Sequence, residues 1–82
     1  MVILYPVTTE KAIGLIGREN KLTFIVERTA TKRQIKEYVE REFEVKVEKV
    51  TVMNTMEGKK KALVRLAKGF KADDVAARLK IA

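Results

Sequence analysis

The chain has 82 residues, with 18 Lys and Arg against 11 Asp and Glu, giving a net charge of +7 at neutral pH. It has no cysteine and no histidine, which excludes disulfide staples, thiol or triad catalysis, and the usual zinc and haem ligands. No apolar run approaches the roughly 20 residues that span a bilayer, so no membrane insertion is expected. No secretory signal is expected either, because no basic segment precedes the short apolar start.

The length suits one domain over residues 1–82, near the lower limit for a self-sufficient core. Its positive charge is unevenly spread. Residues 1–30 are net +1, residues 31–57 net 0 and residues 58–82 net +6. The excess gathers around Lys59, Lys60, Lys61, Arg65, Lys68 and Lys71. Such a patch suits a polyanion, most often nucleic acid. Charge alone does not separate that reading from a solvated face that aids solubility. The Lys/Glu-rich composition is that of thermophile proteins.

Val2 to Tyr5 is a short apolar run stopped by Pro6, which reads as a buried strand. Thr8 or Thr9 caps a short helix whose apolar residues are Ala12, Ile13, Leu15 and Ile16. Glu10 lies in its first turn, and Gly17 reads as its C-cap. Arg18-Glu19-Asn20 reads as a polar turn. Lys21 to Arg28 then alternates, with Leu22, Phe24 and Val26 on one face and Thr23, Ile25 and Glu27 on the other. That is a half-buried strand.

Thr31-x-x-Gln34 is a capping box, opening a helix with Ile35, Tyr38, Val39 and Phe43 on one face. Its other face carries Lys32, Arg33, Lys36, Glu37, Glu40 and Arg41, with Glu37 placed to pair with Arg41. From Val45 the period becomes two, but the parity slips at Glu48-Lys49. The slip reads as a bulge, or as Val45 still belonging to the helix exit. Asn54 to Gly58 is a turn. Lys59 to Leu66 returns as a strand with Ala62, Val64 and Leu66 inward and Lys61, Leu63 and Arg65 outward. Lys71 to Ile81 reads as a terminal helix, with Asp73 and Asp74 in its first turn. Val75, Ala76, Leu79 and Ile81 form its apolar side. The order β-α-β-α-β-β-α implies an α+β fold, an antiparallel four-stranded sheet with helices packed on it.

No catalytic set is visible, and neither Gly14 nor Gly17 fits a phosphate-binding loop. An RNA-recognition-motif fold also has four strands and two helices, but it needs exposed aromatics on its central strands. Phe24 shares a face with Leu22 and Val26 and reads as core, and Lys59 to Leu66 has no aromatic. The sheet therefore points to phosphate and RNA-shape contacts rather than to stacking.

The residues carry a family resemblance. Pro6 is followed by Thr8-Thr9-Glu10-Lys11-Ala12 and then Asn20-Lys21-Leu22-Thr23-Phe24-Ile25-Val26. Ala30-Thr31-Lys32, Ile35-Lys36, Val39-Glu40 and Phe43 through Val50 continue it. Gly58-Lys59, Lys61-Ala62 and Asp74-Val75-Ala76 complete it. In this order and spacing the chain resembles the universal large-subunit ribosomal protein family L twenty-three, in its archaeal form. The resemblance implies α/β/α layers and a structural role in the cytoplasmic ribosome. It further implies binding to large-subunit (23S-type) ribosomal RNA at the rim of the polypeptide exit tunnel, beside neighbouring ribosomal proteins. It also implies docking of nascent-chain factors such as the signal recognition particle, with Glu10 matching the family's docking acid. No cofactor, metal or small-molecule substrate is implied. From the sequence alone, Glu10 reads simply as a first-turn helix acid. The chain departs from the family pattern at Thr51, where Asn is common, and at Lys80, where Gly usually ends the last helix. Its 54–58 loop is short where bacterial members carry a long basic hairpin loop, so no intrusion into a tunnel is expected.

Under the ribosomal reading, the expected RNA contacts are Lys11, Asn20, Lys21, Thr31, Lys32, Arg33, Lys36, Lys46, Asn54, Lys59, Lys60, Lys61 and Arg65. The Lys59–Lys61 run is read as an electrostatic clamp. Two alternatives stay open: a protein-docking module centred on the first helix, and a small basic nucleic-acid-binding protein off the ribosome.

Overall fold

The computed structural model describes residues 2–80 of the chain. Its elements are β1 (Ile3–Pro6), α1 (Glu10–Glu19), β2 (Lys21–Val26), α2 (Lys32–Phe43), β3 (Val47–Asn54), β4 (Lys60–Leu66) and α3 (Ala72–Arg78). The strands make one antiparallel sheet in the order β1-β2-β4-β3. The expected α+β class and element order are those observed. Among the described residues, no helix is long and apolar enough to cross a membrane.

Strand alternation divides the sheet into two faces. Leu22, Phe24 and Val26 of β2 share one face with Ala62, Val64 and Leu66 of β4 and with Val50 of β3. All seven are buried. Ile35 and Val39 of α2 and Val75 and Ala76 of α3 close over them. The Phe24 and Phe43 rings stack at 6.5 Å. Arg78 of α3 donates to the Phe43 carbonyl at 2.8 Å and ties the two helices together.

The capping box forms as the residue types require. The Gln34 N–H donates to the Thr31 hydroxyl, and the Thr31 N–H donates to the Gln34 side-chain oxygen. The parity slip in β3 is a bulge between Val47 and Lys49. Val45 lies before the strand and is buried at the helix exit. The Val47 N–H donates to the Glu40 carboxylate at 2.9 Å, which holds the strand's entry against α2. Gly58 supplies the left-handed residue of the β3–β4 turn at φ 81.

Several expectations are corrected. β1 is an edge strand with Leu4 and Tyr5 exposed, rather than a buried one. It includes Pro6 as its last residue, and the next bond to β2 is made by the Val7 N–H to the Thr23 carbonyl at 2.9 Å. Gly17 is not the C-cap of α1. The helix runs on through Arg18 and Glu19, and Asn20 caps it at φ 55. Asparagine tolerates that left-handed conformation better than most residues. β2 stops at Val26, and both its faces are covered, since Thr23 and Ile25 are buried along with Leu22, Phe24 and Val26. Glu37 pairs with Arg33, one turn earlier, while Arg41 lies against Glu42. α3 ends at Arg78, and Ile81 lies outside the described residues. Lys80 takes φ 60, the conformation that a glycine would adopt at no cost.

Candidate nucleic-acid interface

The second face of the sheet has a different character. The pairing of β2, β4 and β3 aligns Lys21, Arg65 and Lys49 in one row. Thr23, Leu63 and Thr51 make the next, and Ile25, Lys61 and Met53 the third. Thr23 and Ile25 of these nine are buried, and the seven others hold four cations and no acid. The two-residue period that buries Ala62, Val64 and Leu66 is what turns Lys61, Leu63 and Arg65 outward together.

Ion pairing leaves much of this charge free. Lys21 meets Glu19 at 2.9 Å, and that contact holds the Glu19 carboxyl below its ordinary titration range. Arg65 only grazes Glu48, at 4.0 Å. Among the described residues, Lys49 and Lys61 make no ion pair. Lys49 was not among the expected contacts. The signal for it was present, since counting the alternation of β3 back from Val50 and Val52 turns Lys49 outward with Thr51 and Met53.

α1 lies along this same face. Its Thr9, Lys11, Ala12 and Leu15 form an open groove with Val7, Thr23, Met53, Lys61 and Leu63. Thr9 caps the helix by accepting from the Ala12 N–H at 3.3 Å. Glu10 is exposed at the first helical position, where the positive end of the helix dipole favours an acid.

The Lys59–Lys61 run does not act as one array. Lys60 points to the core-facing side and donates to the Ala30 carbonyl at 2.6 Å. Lys59 donates to the Tyr5 hydroxyl at 2.9 Å and lies 5.6 Å from the centre of its ring. This hydrogen bond raises the Lys59 ammonium above its ordinary range. Only Lys61 of the three joins the outward rows.

The remaining expected contacts separate further. The Asn20 side chain is engaged within the protein. Its amide donates to the Phe70 carbonyl at 2.8 Å and its oxygen accepts from the Ala72 N–H at 2.7 Å. The Thr31 hydroxyl is spent on its cap. Lys32, Arg33 and Lys36 are exposed on α2, interleaved with Glu37 and Glu40. Lys46 is exposed in the α2–β3 link, and Asn54 is exposed at the end of β3. Lys11, Lys21, Lys61 and Arg65 thus gather at the outward face, while α2 presents a charge-balanced surface.

The arrangement offers fixed positive charge, two threonines and a few apolar atoms, with no nucleophile or proton-transfer pair. Such an arrangement can bind an anionic surface. The family model described as ribosomal protein L23 matches residues 1–74. A match over nearly the whole described chain, on a sheet and helices of the expected order, makes this protein a member of the ribosomal protein L23 family, structural proteins of the large ribosomal subunit rather than enzymes.

Proposed function

We infer that the chain holds large-subunit ribosomal RNA against the outward face of its sheet. The carrying observation is the set of seven accessible positions on that face, with four cations and no acid. Phosphate oxygens satisfy such a surface without base-specific readout, and contacts of this kind fix register on a folded RNA. Lys11, Lys21, Lys49, Lys61 and Arg65 carry the binding in this reading. Lys59 adds its charge at the rim, where the Tyr5 hydroxyl holds it in place. The cations of α2 contribute less, because neighbouring acids offset them.

Family membership supports a finer reading. The site is the rim of the polypeptide exit tunnel, beside other ribosomal proteins. The exposed Glu10 end of α1 then serves as the docking point for nascent-chain factors such as the signal recognition particle. In this reading the short β3–β4 turn, closed by a Thr55 N–H to Lys59 carbonyl bond of 2.8 Å, does not reach into a tunnel lumen.

Sedimentation tests this directly. Tagged protein expressed in cells should pellet with large subunits and be released by ribonuclease together with ribosomal RNA. Protein that stays at the top of the gradient contradicts the reading.

A further inference from the structure

The groove between α1 and the outward sheet face contains a polar group that the fold leaves unused. The Thr23 hydroxyl exposes under 1 Å2 and has no hydrogen-bond partner. Thr23 as a whole is only 6% exposed. A buried hydroxyl can donate one bond and accept two, and leaving it unpaired is costly. The isosteric Val would fill the same space without that cost, so the hydroxyl needs a reason to be there.

The surroundings of Thr23 supply one. Val7, Ala12 and Leu15 on the helix side and Met53 and Leu63 on the sheet side make apolar walls. Lys11 and Lys61 stand at the same groove, one from each side. The cavity is about 180 Å3, well under the ~300 Å3 at which drug-sized ligands begin to fit. It suits one planar ring, not an extended molecule. Apolar walls, a buried unpaired hydroxyl on a residue that lines them and cations at the mouth match an unstacked nucleobase with its phosphates.

Resting on the RNA-binding reading above, we propose that this groove receives a single unstacked base of the bound RNA. The Thr23 hydroxyl hydrogen-bonds a polar edge of the base. Met53 and Leu63 pack on the ring, and Lys11 and Lys61 hold its flanking phosphates. The flexible Lys11, Met53 and Lys61 side chains move aside to admit the ring. The sheet then has one base-reading position as well as its general hold on phosphate.

Thr23→Val separates this role from a merely structural one, because the two effects have opposite signs. Losing an unpaired buried hydroxyl should raise the urea midpoint of the free protein. Losing a bond to the base should weaken RNA binding by about three- to tenfold. The full chain is titrated by NMR with a single-stranded adenylate decamer and with a ribose-phosphate decamer lacking bases. The adenylate decamer should shift the methyl signals of Ala12, Leu15, Met53 and Leu63, and more weakly in Thr23→Val. The abasic decamer should leave those methyls in place. Equal methyl shifts with both probes, no methyl shifts with either, or an unchanged affinity in Thr23→Val overturns the proposal. The parent reading is checked apart from it, by the salt dependence of wild-type binding to large ribosomal RNA. Steep dependence with no effect of Thr23→Val sinks the base pocket alone. No salt-dependent binding sinks both.

Discussion

Asn20 does more for this fold than its place in a polar stretch suggests. It ends α1 in the left-handed conformation just before β2 begins, and its side chain reaches the loop before α3. The bonds to Phe70 and Ala72 join parts of the chain separated by 50 and 52 residues. Asn20→Ala loses these bonds and puts an alanine at φ 55. At about 1 kcal/mol per bond and 1–2 for the backbone, the cost is about 3 kcal/mol. Urea denaturation monitored by circular dichroism reads it directly. A loss below about 1 kcal/mol would show that the α1–α3 tie is slack. Nothing local in the sequence marks this role, because both partners come from the far end of the chain. Reading Asn20 as an RNA contact had no way to count them.

Tyr5 and Lys59 make a second residue-scale case. The hydrogen bond raises the Lys59 ammonium above the ordinary lysine range. A group raised on folding contributes stability that is fully present below its unfolded value and lost as pH rises through its folded value. The contribution is therefore constant across neutral pH and fades only in strongly alkaline solution. Tyr5→Phe should bring the Lys59 titration back toward ordinary lysine, followed by NMR of its side-chain carbons. Its stability at neutral pH should change little, because the pair is exposed. An unchanged titration would mean that the bond does not persist in water.

At the scale of elements, what could be read from the sequence depended on how local its cause was. The Thr31–Gln34 box and the β3 bulge rest on neighbours within a few residues, and both are observed as expected. The end of α1 was misjudged, because two glycines weaken a helical pattern without ending it. The edge position of β1 and the burial of both faces of β2 depend on which strands and helices lie alongside, which no local pattern reports. Gly17→Ala discriminates between the two readings of α1. A true left-handed C-cap would be destabilised by alanine, whereas a helical position gains from it. Gly17 has no positive φ, and an added Cβ meets no atom within 4 Å. The variant should therefore be more stable by about 0.5–1 kcal/mol, seen as a thermal midpoint several degrees higher. A lower midpoint would return the C-cap to Gly17.

For the molecule as a whole, one sheet faces two environments. The core-facing side buries Val, Leu, Phe and Ala against α2 and α3. The other side presents Lys21, Lys49, Lys61 and Arg65 beside α1. The excess of charge near the C-terminus was legible from composition, and so was the outward direction of Lys61 and Arg65. Joining Lys59, Lys60 and Lys61 into one clamp overlooked the alternation that sends Lys60 to the Ala30 carbonyl. Lys49 was overlooked because it sits at the bulge, where the parity of β3 resets.

The salt dependence of binding to large ribosomal RNA tests the outward face most directly. Each phosphate neutralised contributes about 0.7 to 0.9 to the slope of log affinity against log salt. Replacing Lys49, Lys61 and Arg65 together by Gln should lower that slope by roughly 2 to 2.7, while replacing Lys32, Arg33 and Lys36 by Gln should lower it by less than one such contribution. An unchanged slope in the sheet variant, or a larger drop in the α2 variant, would place the RNA on the other side of the protein.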